Sequence, residues 1–337
     1  MLINEGFKIE YGRGIIRNLF NTFQDSLVIT LQEIWDALET SFSEKPEQIL
    51  LVETLEIDEL EKLSEENRNF STVFGLGGGR AADVAKFLHW KNGTTLFQIP
   101  TIVSVDAFFT HEIAVRDNGV VKYIGDAVPE LIYVDYDIIQ KAPVELNRSG
   151  LGDILSCHTG LFDWRLADRC GEKPEWNEQL AIRTREVLND VTANAAEIQK
   201  VSETGIQMMM EALNWIGDQC YVQKHPRFEE GSEHHFVYNL EYVTGKHFVH
   251  GQAVCLGCFI MSMLQENEPE KVLKTVRETG VDIRPESLGV SWDEIRDTFL
   301  SLNAFVRKEK LPYTILYEKD ITENFLEKIK MALAKPY

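Results

Sequence analysis

Residues 71–86 read S-T-V-F-G-L-G-G-G-R-A-A-D-V-A-K, and the fold hangs on how that stretch is read. STVFGL (71–76) is a short, apolar, partly β-branched run, which predicts a strand. Four glycines then fall in the five positions 75–79, and the residues after them have helical spacing. Glycines at such a turn let the backbone approach a pyrophosphate, and the N–H groups that open the helix attract its charge. A tight strand–helix turn is the plain alternative, but it needs fewer glycines, so phosphate binding is the preferred reading. The spacing is not the G-x-G-x-x-G of the usual dinucleotide fingerprint.

The same alternation extends outward. DSLVITL (25–31), QILLVET (48–54), TTLFQIP (94–100) and ELIYVD (130–135) read as strands. LQEIWDALETSF (31–42) and IDELEKLSEE (57–66) read as helices. IAVRDNGVVKYIG (113–125) reads as a hairpin turning at Asp117-Asn118-Gly119. Strands alternating with helices predict a Rossmann-like α/β domain with a parallel sheet over 1–148. Beyond Asn147 the period becomes 3.6 residues, which predicts an all-α domain over 149–337. The joint Asn147-Arg148-Ser149-Gly150 has no linker character, so a cleft between the domains is expected.

With 337 residues, 44% of them hydrophobic, the chain can fill two cores and is not a disordered protein. Acids outnumber Lys and Arg by 54 to 34, a net charge of -20, and no basic run interrupts this. A nucleic-acid partner is therefore not expected. No secretion signal and no apolar stretch of about 18 residues is seen, so membrane insertion is not expected either. Five cysteines suit a reducing compartment, and the expected location is cytoplasmic. Cys255 and Cys258 form a C-x-x-C within an apolar run and read as core residues one helical turn apart rather than as a redox or metal pair.

Chemistry-bearing candidates are few. In P-T-I-V-S-V-D (100–106), Thr101 and Ser104 could bond a cofactor and Asp106 a substrate hydroxyl, though such a loop can equally satisfy its own backbone. Asp153, His234 or His235, and His250 each fall near a predicted helix start, with Ser232 as a candidate cap. One carboxylate and two imidazoles suit Zn²⁺ or Fe²⁺ as a Lewis acid, but the residues are far apart and spacing alone leaves them solvated. No H-E-x-x-H, G-x-S-x-G or P-loop motif is present.

In order, GLGGGRAADVAK, PTIVSVDA, ELIYVDYDIIQKAPVELNRSGLGDILSCHTGLFDWRLA, GSEHHF and HFVHGQAVCLG resemble the superfamily that joins iron-containing alcohol dehydrogenases, glycerol dehydrogenase and 3-dehydroquinate synthase. Within it the run is most similar to the sn-glycerol-1-phosphate dehydrogenases. The resemblance implies an N-terminal Rossmann-like domain, a C-terminal helical domain and a site in the cleft between them. It implies that Gly77, Gly78, Gly79, Asp83, Thr101, Ser104 and Thr110 lie at NAD(P), and that Asp106 meets the substrate. Asp153, His234 and His250 would hold Zn²⁺, with Fe²⁺ or Ni²⁺ as alternatives. His234 is preferred to His235 because it directly follows G-S-E, leaving His235 about 100° around the helix. The implied reaction interconverts dihydroxyacetone phosphate, or a related ketone phosphate, and sn-glycerol 1-phosphate or a related polyol phosphate. Hydride passes to a metal-polarised carbonyl. A homo-oligomer is also implied.

The chain departs from the family pattern in places. Tyr238 replaces a substrate-facing His one turn beyond the first metal His, so it is expected in the site as a donor without positive charge. Thr110 replaces a Ser. Gln252 replaces an acid, which weakens expected support for the metal. Leu31 ends a strand where NAD-preferring relatives often have an acid. A sugar-phosphate cyclase resembling 3-dehydroquinate synthase is the competing enzyme class. VDAFFTHE lacks its V-D-S-S-x-G-G-K-type segment, and Asp153 stands where it uses Glu. A non-catalytic relative is the third reading.

Overall fold

A computed structural model describes residues 6–23, 25–117 and 120–334. The chain divides into two compact units, 1–147 with 213–222, and 148–212 with 223–337.

In the first unit, β1 (Ile9–Gly12), β2 (Ser26–Thr30), β3 (Gln48–Leu51), β4 (Thr72–Gly77), β5 (Thr95–Pro100) and β8 (Leu131–Asp135) form one sheet, with order β1-β8-β5-β4-β2-β3. All its pairings are parallel. From β2 the chain steps outward to β3, then returns to the far side of β2 as β4 and continues away through β5. The direction of winding therefore reverses between β2 and β4. Alternation along the strands sends Val28, Phe74 and Leu76 into one core with Trp35 and Leu38, and Leu27, Ile29 and Val73 into another with Leu60 and Val84. Every residue of β2 is buried, as a strand covered on both faces requires.

β1 is a strand that the sequence reading did not contain. Four residues at a sheet edge carry little apolar signal, and what holds them is distant in sequence. β8 pairs with them from Ile9↔Ile132 to Gly12↔Asp135, and the Asp135 carboxylate accepts the Gly14 N–H at 3.1 Å. β6 (Ile113–Asp117) and β7 (Val120–Ile124) form the expected antiparallel hairpin, a separate two-stranded sheet. Its turn residues Asn118 and Gly119 lie outside the described residues.

The second unit is built of helices, chiefly Leu151–Arg169, Glu178–Ala193, Ser232–Thr244, His250–Gln265, Pro269–Thr279 and Trp292–Lys308. Residues 213–222, within the span expected for the helical domain, group instead with the first unit. Asn214 there donates to the Phe7 carbonyl and accepts the Phe7 N–H, both at 2.9 Å. Gly217 approaches the Phe109 carbonyl so closely that a Cβ would sit 2.2 Å from its oxygen. Cys255 and Cys258 are fully buried free thiols, as expected of core residues. Burial pushes both thiols well above their ordinary pKa, which keeps them protonated and inert. Among the described residues no helix is long and apolar enough to cross a membrane.

Candidate metal and nucleotide sites

In open parallel sheets a ligand settles at the carboxyl ends of the strands where the winding reverses. Here that point lies between β2 and β4, and the Gly75–Gly79 turn stands at the end of β4. Gly77 has φ +154°, a region open to glycine but strained for other residues, and a Cβ there would also meet Ala81 at 3.0 Å. The helix Gly79–Asn92 follows at once, with Gly78 as its cap and no side chain bonded to its first N–H groups. Those donors are left for an anion.

Around this turn, Thr101 donates its backbone N–H to the Gly77 carbonyl at 2.8 Å. The Thr101 hydroxyl is buried and has no hydrogen-bond partner in the structure, which suits a group awaiting a ligand. Ser104 is buried nearby in sequence and Asp106 is half-buried. Leu31 lies beside the turn, 3.8 Å from where a Gly77 Cβ would stand.

Asp83 and Thr110 are placed differently. The Asp83 carboxylate, 4% exposed, pairs with Lys86 at 2.9 Å and accepts the Ala114 N–H at 3.2 Å. Thr110 accepts from the same Lys86 ammonium at 3.1 Å. This buried ion pair ties the Gly79–Asn92 helix to β6. Burial raises the Asp83 pKa, against the pull of Lys86.

In the second unit, three helix starts bring Asp153, His234 and His250 together, with one ligand-capable atom of each within 4.8 Å of the others. Asp153 is in the first turn of Leu151–Arg169, where the helix dipole favours a carboxylate. His250 opens its helix, and its Nε2 is 3.3 Å from Asp153 Oδ1. Metal bonds of about 2.1 Å in a tetrahedron separate neighbouring ligand atoms by about 3.4 Å, which the Asp153–His250 separation matches. This Asp-His-His group can bind a metal.

What lets the Asp153 and His250 helices approach is a pair of glycines beside the ligands. A Cβ on Gly152 would lie 2.3 Å from the Gly251 carbonyl oxygen. His234 is oriented by its neighbour: Nδ1 is 2.9 Å from the fully buried Glu233 Oε1. A carboxylate on Nδ1–H turns Nε2 outward as the coordinating atom. Burial alone would lower the His234 pKa, but the hydrogen bond and charge of Glu233 win and raise it to about 10. His235 faces the interior, 1% exposed, where burial lowers its pKa to about 3.

Sequence reasoning missed Glu233. The acid immediately before the first His in G-S-E-H-H was the available signal. Tyr238 lies one turn beyond His234, ring centroids 6.2 Å apart, and its hydroxyl donates to Glu230. Gln252 donates to the Asp282 carbonyl at 2.7 Å and to Ser287 at 3.2 Å, so it secures the 282–287 loop.

The family model of the iron-containing alcohol dehydrogenases matches residues 22–143. A glycerol-1-phosphate dehydrogenase [NAD(P)+] of Aeropyrum pernix is 32% identical over 76% of this chain and 71% of its own length. Another of that name, from Sulfolobus acidocaldarius, is 28% identical over 97% of this chain and 96% of its own. Among solved structures, a probable glycerol dehydrogenase from Sinorhizobium meliloti superposes with a TM-score of 0.71 at 21% identity, covering 98% of this chain and 97% of that one. A sulfoacetaldehyde reductase from Bifidobacterium kashiwanohense, solved in complex with NAD+, gives 0.62 at 15% identity over 99% and 98%. The structural likenesses establish the fold, and the sequence relatives establish the kinship. This chain belongs to the glycerol-1-phosphate dehydrogenase family, within the iron-containing alcohol dehydrogenases.

Proposed function

We propose that this chain is a metal-dependent, NAD(P)-linked oxidoreductase that interconverts dihydroxyacetone phosphate and sn-glycerol 1-phosphate. The observation that carries the reading is the convergence of Asp153, His234 and His250, from three helices, on one ion-sized space. Zn²⁺ held by these three would supply Lewis-acid stabilisation of negative charge on a carbonyl or alcohol oxygen.

The chain's own residues do the rest. Glu233 fixes the tautomer and tilt of His234, and the glycine contact at 152 and 251 fixes the spacing of the other two ligands. In the first unit, the backbone donors after Gly78 and the Thr101 hydroxyl suit a nucleotide pyrophosphate. Ser104 lies on the same loop, and Asp106 is assigned to a substrate hydroxyl. Leu31 offers no carboxylate to a ribose, so either nicotinamide cofactor is accepted. Tyr238, whose hydroxyl donates its proton to Glu230, orients substrate by accepting a hydrogen bond rather than by charge. A homo-oligomer and a cytoplasmic location belong to the same reading.

The test is oxidation of NADH and NADPH by Zn²⁺-loaded protein with dihydroxyacetone phosphate, run beside unphosphorylated dihydroxyacetone. Turnover confined to the phosphate ester and lost in His250→Ala supports the proposal. Turnover with neither ketone overturns the substrate and brings forward the cyclase reading.

A further inference from the structure

A cavity of about 310 Å³ lies in the second unit, among the later turns of Leu151–Arg169, the helix Glu178–Ala193 and the start of Pro269–Thr279. Arg165 is 12 residues beyond Asp153 on one helix, about 18 Å along its axis, so the cavity is separate from the Asp-His-His group. Its apolar lining is Leu161, Phe162, Leu166 and Leu188. Around these stand four cations, Arg165, Arg169, Arg185 and Lys271, against Glu268 in the lining and Asp168 paired with Arg165, a local excess of two positive charges. In the whole chain the balance runs the other way, with 54 acids to 34 bases.

Two of these cations are paired internally and two are not. Arg165 reaches Asp168 at 3.3 Å and Lys271 reaches Glu268 only at 3.8 Å. Arg169 and Arg185 have no carboxylate partner among the described residues. Arg165 and Arg169 stand four apart on one helix, and the carboxylate of Asp168 between them is taken up by Arg165. Arg165 and Arg185 both lie over the Trp176 ring, at 5.0 and 5.8 Å from its centroid. One indole thus draws together two guanidiniums from different helices, and both arginines line the cavity. Asn189 and Asn267 add polar groups to the lining.

We propose that this cavity is a second small-molecule site, for a phosphate monoester whose compact apolar body enters between the leucines. The guanidiniums of Arg169 and Arg185 clasp its head group. Guanidinium forks match phosphate oxygens in pairs, and a volume near 300 Å³ holds a ligand of about ten heavy atoms.

Phenyl phosphate is the probe, titrated calorimetrically into the full chain at low salt. Saturable binding is expected, weakened at least tenfold in the Arg169→Gln/Arg185→Gln double variant and unchanged in His250→Ala. Both arginines are exposed, so the double variant is expected to retain its fold and its thermal midpoint. Inorganic phosphate is expected to bind at least tenfold more weakly than the phenyl ester. Equal binding of the two anions would overturn the apolar half of the proposal. Equal affinity of wild type and double variant, loss of binding in His250→Ala, or no saturable binding would each overturn the site.

Discussion

Replacing Gly152 by alanine should dismantle the metal group without touching a ligand. The new methyl would lie 2.3 Å from the Gly251 carbonyl oxygen and 2.5 Å from its Cα, whereas ordinary contacts begin near 3.4 Å. Both obstacles are backbone, so relief requires the two helices to part by about 1 Å. Gly152 precedes Asp153 and Gly251 follows His250, so the same movement opens the 3.3 Å between Asp153 Oδ1 and His250 Nε2 to roughly 4.3 Å. Metal–ligand distances tolerate only about 0.2 Å. We expect Zn²⁺ affinity to fall about 10–100-fold, the range seen when ligand support is lost. Overpacking should cost about 1–3 kcal/mol of folding stability. Competition with a chromogenic chelator reads the first quantity and urea unfolding the second. A folded Gly152→Ala protein with Zn²⁺ affinity within about twofold of wild type would refute the claim that this glycine contact sets the ligand spacing.

Removing the acceptor behind His234 should act through orientation: Glu233→Ala is expected to lower metal affinity about 10–100-fold, while Glu233→Gln, which retains an acceptor, loses less in the same competition assay. Lys86→Met leaves the buried Asp83 unpaired and should destabilise the protein by about 3–5 kcal/mol in urea, with Asp83→Asn added on top restoring most of the loss. Asp163 supplies a pH dependence. Burial foremost, then the charge of Glu233, lifts its carboxyl to about 7, against hydrogen bonds from Ser232 and the Ile315 N–H. The folded pKa lies above the unfolded value of 3.8, so this contribution to stability is full below about 4 and declines until pH 7. Urea midpoints of wild type should therefore fall between pH 4 and pH 7 more steeply than those of Asp163→Asn, and parallel slopes would contradict the assignment.

How much of this was legible in sequence depends on how local the determinant is. The β4–glycine turn–helix unit is written in consecutive residues, and short, near-continuous apolar runs mark β2, β4, β5 and β8 because each is buried on two faces. β1 escaped because its partner, β8, lies about 120 residues away and its four residues are half exposed. The ligand trio could be assembled only through family resemblance, since 153, 234 and 250 meet by helix packing and not by spacing. The packing devices around them were invisible for the same reason. That Gly152 and Gly251 face each other is a property of two helices 100 residues apart. The division of the helix Glu203–Gln223 between the units likewise rests on Asn214 meeting Phe7 and Gly217 meeting Phe109, contacts no local pattern announces.

We propose that Asp153, His234 and His250 hold a metal on which reduction of a ketone phosphate depends. It is tested most directly by measuring metal content and NAD(P)H-linked turnover of dihydroxyacetone phosphate on the same samples of wild type and His250→Ala. About one transition-metal ion per chain is expected in wild type, with metal and turnover lost together in the variant and in chelator-treated wild type. Turnover that persists after the metal has been removed would contradict it.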